Sequence, residues 1–162
     1  MRAYVALGSN QDQPERKVRE AFEALAVLPG TRIEARSSLY RSPPWGLREQ
    51  PDFINAVAAI ETALQPHELM HALLTIETRA GRVRTGPRWG PRALDLDLLV
   101  YGDCVLDWPG LTLPHPRLAE RAFVLMPLAE IAPGLDIPRY GAVEALLQKI
   151  DASTCKRLSP TA

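Results

Sequence analysis

The order in which hydrophobic periods follow one another between Tyr4 and Tyr101 constrains the fold more than any other feature of this chain. Tyr4-Val5-Ala6-Leu7-Gly8 is a short apolar strand closed by a Gly8-Ser9-Asn10 turn. A helix follows, opened by Pro14, with Val18, Phe22, Leu25 and Leu28 spaced as one apolar stripe and Pro29-Gly30 as its stop. Ile33 to Tyr40 reads as a second strand, Arg41 to Pro51 as a proline-broken loop, and Phe53 to Thr62 as a third strand. Pro66 opens a second helix to about Arg79, carrying Leu69, Leu73, Ile76 and Ala80 toward a core. Gly81 to Pro91 is a long loop, and Leu94 to Tyr101 is the fourth strand. Strand–helix–strand–strand–helix–strand is the ferredoxin-like α+β pattern: two split βαβ units forming an antiparallel sheet with helices packed on one of its faces. The remainder, including Ala119 to Ile131 and Val143 to Ile150, reads as largely helical, and residues 158–162 as a frayed tail of one domain spanning 1–162.

The fourth strand carries the chemistry. Residues alternate across a strand, so Asp95 and Asp97 share one face, their α-carbons roughly 6.5–7 Å apart, while Leu94, Leu96 and Leu98 point into the core. Like charges so placed repel unless a cation joins them, and Mg²⁺ suits the position because it accepts one or two carboxylates and completes its shell with water and phosphate. Just upstream, Arg82, Arg84, Arg88 and Arg92 supply planar donors that grip phosphate oxygens bidentately. Together they point to a magnesium–polyphosphate site; direct Asp–Arg pairing is the structural alternative.

Other residues narrow the possibilities. On the third strand Phe53, Asn55, Val57 and Ala59 share a face, and Asn55 is its polar misfit. Its amide suits the edge of a planar heterocycle stacked on Phe53, against the plainer reading of a bond to solvent or a loop. Trp45, Trp89 and Phe123 offer further aromatic walls, although Phe123 among Val124 and Leu125 also reads as core. Glu77, near a helix C-terminus that disfavours anions, needs a cation: Arg79 or Arg82 structurally, or a ligand of the site. His67-Glu68-Leu69-Met70-His71 spells the H-E-x-x-H of zinc hydrolases. The downstream H-x-x-G-x-x-H extension is missing, with Leu74 and the distant His115 in its stead, so surface histidines explain the match. Neither a P-loop nor a Rossmann glycine pattern occurs. A ferredoxin-like sheet with Trp89 and an arginine loop also allows a single-stranded RNA-binding module, against which the paired aspartates argue unless metal is present.

Charge balance agrees. Nineteen basic and nineteen acidic residues cancel, which excludes a generally cationic nucleic-acid or membrane-surface binder. Cys104 and Cys155 lack ligand spacing and read as free thiols of a reducing compartment. With no signal-peptide core and no long apolar run, the expectation is a cytoplasmic protein without membrane or nucleic-acid partners, and a monomer.

The run Arg88-Trp89-Gly90-Pro91-Arg92-Ala93-Leu94-Asp95-Leu96-Asp97-Leu98-Leu99 resembles the signature of the 6-hydroxymethyl-7,8-dihydropterin pyrophosphokinases of folate biosynthesis. The likeness continues through Ala6-Leu7-Gly8-Ser9-Asn10, Tyr40-Arg41-Ser42-Pro43-Pro44, Gln50-Pro51-Asp52-Phe53-Ile54-Asn55, Gly81-Arg82-Val83-Arg84 and Leu113-Pro114-His115, in order, over most of Tyr4 to Leu135. It implies transfer of the β,γ-pyrophosphoryl group of ATP to the pterin hydroxymethyl group, releasing AMP. Asp95 and Asp97 would hold two Mg²⁺ ions, and Arg82 and Arg92 would stabilise the transferring group. Glu77, Arg84, Trp89, Leu98, Thr112, His115 and Arg121 would serve the nucleotide. Gly8, Ser42, Pro43, Pro44, Trp45, Phe53, Asn55, Trp89 and Phe123 would serve the pterin. The loop from Gly81 to Pro91 would close over both. Some members carry leucine at Trp45, tyrosine at Phe53 and an aromatic at Pro116, so ring stacking survives at Phe53 while an aromatic nucleotide contact at Pro116 does not.

Overall fold

The computed structural model describes residues 1–44, 50–81 and 93–158. In chain order these form β1 (Arg2–Ser9), α1 (Pro14–Ala26), β2 (Thr31–Arg36), β3 (Tyr40–Ser42), β4 (Phe53–Thr62), α2 (Pro66–Arg79) and β5 (Asp95–Tyr101). There follow β6 (Leu106–Trp108), β7 (Leu111–Leu113), a 3-10 turn (Leu118–Glu120), α3 (Ala122–Ile131), β8 (Asp136–Ile137), β9 (Gly141–Ala142), α4 (Val143–Gln148) and β10 (Lys156–Arg157). The main sheet runs β10-β3-β4-β1-β5, with β2 also on β4, and every pairing is antiparallel. This is the ferredoxin-like order, because each βαβ crossover skips one strand position. No helix among the described residues is long and apolar enough to cross a membrane.

The two main helices follow their sequence signals. Pro14 begins α1, whose Val18, Ala21, Phe22 and Leu25 are buried. Pro66 begins α2, where a capping box joins Gln65 to Glu68 and Leu69 and Leu73 are fully buried. Both helices pack on Val5, Leu7, Ile54, Ala56, Leu96 and Leu98.

Four expectations need correction. Helices do not occupy one face alone: α3 and α4 cover the other face, packing Leu118, Val124, Leu125, Leu128, Val143 and Leu146 on Tyr4, Ala6, Val57, Ala59, Leu99 and Val100. The strand expected over Ile33 to Tyr40 is interrupted, and Arg41 and Ser42, expected in a loop, belong to β3. At the interruption the Ser37 amide donates to the Val57 carbonyl (2.9 Å), and the Ser37 hydroxyl accepts from the Val57 amide (2.8 Å). A side chain thus replaces a backbone acceptor while the chain steps outward. The region after Tyr101 is less helical than expected, with a β6–β7 hairpin turning at Pro109-Gly110, where Gly110 holds φ +80, and with β10 extending the main sheet. Helix α3 starts at Ala122, preceded by the 3-10 turn, and α4 ends at Gln148.

The apolar second half of β5 reaches both cores through a bulge. Tyr4 pairs with Val100 but Val5 with Leu98, so Leu99 is extra; Leu99 and Val100 both enter the α3 core, and Tyr101 enters the other. A polar clamp also joins α3 to the sheet. Glu130 accepts from the Tyr40 hydroxyl (2.8 Å), the Ser38 hydroxyl (2.9 Å) and the Ser38 amide (3.0 Å), with Arg157 at 3.4 Å. Burial pushes the Glu130 pKa up, but the Tyr40 and Ser38 hydrogen bonds and Arg157 outweigh it, leaving the carboxyl below its ordinary 4.5.

Leu125→Ala, which empties a fully buried position under α3, is expected to cost about 3 kcal/mol and lower the melting temperature by roughly 10 °C. A loss below about 1 kcal/mol would show that α3 is not an integral layer. Because the folded-state pKa of Glu130 is depressed, its contribution is present above the unfolded value and lost as pH falls through the folded one. Denaturant titrations should therefore show wild-type stability falling more steeply than that of Glu130→Gln on acidification below pH 4.5.

Candidate active site

Register places the predicted residues in rows across the α3 side of the sheet. Gly8 lies opposite Asp95 on one side and Asn55 on the other, and Asn55 lies opposite Tyr40. One row is thus Asp95–Gly8–Asn55–Tyr40, flanked by Asp97–Ala6–Val57 on one side and Phe53–Ser42 on the other. Two strand spacings, about 10 Å, separate the backbones of Asp95 and Asn55. Gly8 keeps the ground between them low: a Cβ there would stand 3.1 Å from the Asn55 Oδ1. Asn55 is 5 % exposed and donates from Nδ2 to the Ser42 hydroxyl at 2.7 Å. A side-chain hydroxyl, rather than solvent, is therefore one partner of this amide.

Asp97 sits where three segments meet. Its carboxylate is 3.9 Å from both His115 Nε2 and Arg121 Nη1. Arg121 forms the N-cap of α3, and its guanidinium lies over the Phe123 ring, 5.6 Å from the centroid. The His115 amide donates to the Leu99 carbonyl at 2.8 Å, after a cis Leu113–Pro114 peptide, which holds the imidazole beside β5. Burial, with the Arg121 and Arg117 guanidinium groups, pulls the His115 pKa down to about 4, so the ring is neutral near pH 7. Its Nδ1 accepts from the Arg117 amide at 3.2 Å, which leaves the proton on Nε2, facing Asp97.

Glu77 has a backbone partner that its sequence neighbours do not suggest. It is 1 % exposed and accepts the Leu96 amide at 2.7 Å. Strand β5 is the sheet's outer strand, and the acid at the end of α2 binds its edge midway between the two aspartates. In the helix's last turn, where Arg79, Arg82 or a ligand of the site was expected to offset the anion, a backbone donor is one partner, and Arg82 lies outside the described residues. Leu98 also differs: its side chain lies in the α1–α2 core, 2 % exposed, on the face opposite Asp97. Only its main chain is left to face a nucleotide. Thr112 stands on β7, its hydroxyl donating to Asp107 at 3.3 Å.

A metal at this site would be held by Asp95 and Asp97. Both are half-buried hard-oxygen donors on one face, and no group of three metal-ligating side chains gathers among the described residues. That set fits Mg²⁺, which takes its remaining ligands from phosphate and water. Arg82, Arg84, Trp89, Arg92 and Trp45 lie outside the described residues. Pro43 and Pro44 follow β3 directly. Glu68 is occupied as a helix cap, and His67 and His71 are exposed, so H-E-x-x-H is surface chemistry here.

Ser9 and Asn10, expected as a turn and as part of the family-like run Ala6 to Asn10, had no expected role in the site. Both are buried: Ser9 donates to the Ala93 carbonyl (2.6 Å), Asn10 to Gln50 Oε1 (2.7 Å) and the Pro51 carbonyl (3.1 Å). The end of β1 therefore fixes the segments that enter β5 and β4. Their signal was two small polar residues directly after a fully apolar strand.

Comparison with known proteins agrees with the geometry. The model of the 7,8-dihydro-6-hydroxymethylpterin-pyrophosphokinase family matches residues 4–133. A Pseudomonas aeruginosa protein called 2-amino-4-hydroxy-6-hydroxymethyldihydropteridine pyrophosphokinase is 51% identical over 137 residues, covering 85% of this chain and 84% of its own. The Methylorubrum extorquens protein of that name is 48% identical over 157 residues, covering 97% and 98%. Among solved structures, a Plasmodium falciparum HPPK-DHPS crystal structure superposes with a TM-score of 0.71 at 14% identity, covering 96% of this chain and 47% of that one. Another, an HPPK-DHPS in complex with substrates, gives 0.76 at 12%, covering 97% and 46%. The chain thus spans about half the length of these solved relatives, and the likeness supports the ferredoxin-like fold. Neither the RNA-binding nor the zinc-hydrolase alternative finds support in these matches. From residue 4 to residue 133 the chain belongs to the 7,8-dihydro-6-hydroxymethylpterin-pyrophosphokinase family.

Proposed function

We propose that this chain transfers a pyrophosphoryl group from ATP to 6-hydroxymethyl-7,8-dihydropterin, yielding AMP and the pterin diphosphate, a step of folate biosynthesis. The observation that carries the proposal is the row Asp95–Gly8–Asn55, which sets carboxylate and amide chemistry on either side of a side-chain-free strip. On the Asn55 side, the amide and the Ser42 hydroxyl read the heterocycle edge, while Phe53 and Phe123 supply aromatic surface beside Pro43 and Pro44; a pterin role for Trp45 follows from the family likeness alone. On the Asp95 side, Asp95 and Asp97 would hold two Mg²⁺ ions, which would supply charge neutralisation at the phosphates and so ease attack on the β-phosphorus.

The protein's own groups then position the reaction. Gly8 lets the hydroxymethyl oxygen approach over the sheet; the bond from that oxygen to the β-phosphorus forms as the bond to the α,β-bridging oxygen breaks, the hydroxyl proton passing to solvent and the bridging oxygen leaving with AMP. Arg121 and neutral His115 flank Asp97 and are placed to donate to phosphate oxygens of the bound nucleotide. Thr112 and the Leu98 main chain face the nucleotide. Glu77 acts on it indirectly, by holding the edge of β5 through the Leu96 amide. Arg82 and Arg92 stabilise charge developing on the transferred group; with Arg84 and Trp89 these roles follow from the family signature.

The direct test is the appearance of AMP when the protein is mixed with ATP, Mg²⁺ and the pterin. Absence of AMP under these conditions would overturn the proposal. Asp97→Ala should reduce Mg²⁺-dependent turnover by about a hundredfold or more while circular dichroism stays unchanged; undiminished turnover would remove Asp97 from the metal site. Asn55→Ala should weaken pterin binding about tenfold with nucleotide affinity intact, as measured by calorimetry. An equal loss for both ligands would place Asn55 outside the pterin pocket.

A further inference from the structure

Resting on the pterin-pocket reading above, we propose that Tyr40 and Glu130 form a positioning pair that sets the gap between the α3 layer carrying Phe123 and the strands carrying Asn55. The pocket is assembled from two layers that no covalent connection holds at a fixed distance. Asn55 and Ser42 belong to the sheet, where they share a hydrogen bond. Phe123 belongs to α3, seven residues before Glu130 on a helix spanning Ala122–Ile131. Seven residues are about two turns, which puts the two side chains on nearly the same side of the helix, with Pro127 lying between them. Glu130 and Phe123 therefore face the same strands, one as anchor and the other as the pocket's wall.

The anchor ends beside the amide it is inferred to serve. Tyr40 pairs with Asn55 across β3 and β4, so its ring stands next to the Asn55 side chain on the α3 face. Tyr40 is 3 % exposed, and its hydroxyl donates to Glu130 at 2.8 Å. Ser38 and Arg157 hold the carboxylate from two other segments, so Glu130 is not free to follow the helix. An acid in the last turn of a helix opposes the macrodipole, and apolar residues at this seam would stabilise it at least as well. What a buried hydroxyl–carboxylate bond adds is direction and a narrow distance, as a binding wall requires.

The experiment compares Tyr40→Phe, Glu130→Gln, Phe123→Ala and Asn55→Ala in the intact protein. Calorimetry would read the dissociation constant for the pterin with a non-hydrolysable ATP analogue bound, and that for the analogue alone, beside the melting temperature. Tyr40→Phe should weaken the pterin about tenfold and the analogue less than twofold. Glu130→Gln, which keeps an acceptor for the Tyr40 hydroxyl, should retain most of the affinity. In a Phe123→Ala background Tyr40→Phe should cost little more, because the wall it positions is gone. Equal weakening of both ligands, a lowered melting temperature with pterin affinity intact, or an undiminished loss in the Phe123→Ala background would each overturn the proposal. If Asn55→Ala and Phe123→Ala leave pterin binding untouched, the pocket assignment itself fails and this inference with it. If they weaken it while Tyr40→Phe does not, only the positioning role fails.

Discussion

The arrangement depends on β1 being hydrogen-bonded along both edges and buried on both faces. A strand so enclosed has no freedom to slide, since a shift of one residue would exchange its two sets of side chains between the cores. Its register with β4 and β5 is therefore fixed by packing. Everything placed opposite Gly8 inherits that precision, and Asp95 and Asn55 are brought to either side of one glycine from positions far apart in sequence. Ser9 and Asn10 extend the same control past the end of the strand, binding the segments that lead into β5 and β4.

The site lies where the α3 core runs out. Toward the middle of the sheet, Ala6, Val57 and Leu99 are covered by α3 and α4; toward the Gly8 end, polar and aromatic side chains replace them. The change of chemistry along one face is abrupt, and burial sharpens its electrostatics. His115 is kept neutral by its surroundings, Glu77 exchanges solvent for a backbone amide, and Asp97 keeps basic groups on two sides. Such groups need little reorganisation when a highly charged ligand arrives, and that matters most in phosphoryl transfer, where catalysis rests on position and charge.

The opposite face has a different task. Helices α1 and α2 bury aliphatic side chains there, and Glu77 of α2 reaches the edge of β5 instead of its face. Under the proposed function the two helical layers divide labour: one packs the larger core, and the other closes the pocket. The polar bond between Glu130 and Tyr40 belongs to the second layer, where relative placement matters more than depth of burial.

The sequence by itself determined the two main helices, β1, β4 and β5, the sharing of one face by Asp95 and Asp97, and the antiparallel ferredoxin-like order. These depend on local period, capping and turn chemistry, which neighbouring residues encode. Family likeness in ordered motifs named the chemistry, since each motif is itself a short run of neighbouring residues. The break between β2 and β3 was not legible, because the Ser37 hydroxyl replaces a ladder bond only once Val57 is in place. The second helical layer, the bulge at Leu99, the partner of Glu77 and the roles of Ser9, Asn10 and Glu130 were hidden for the same reason. Each is a contact between residues distant in the chain, and only the tertiary structure decides which polar group meets which.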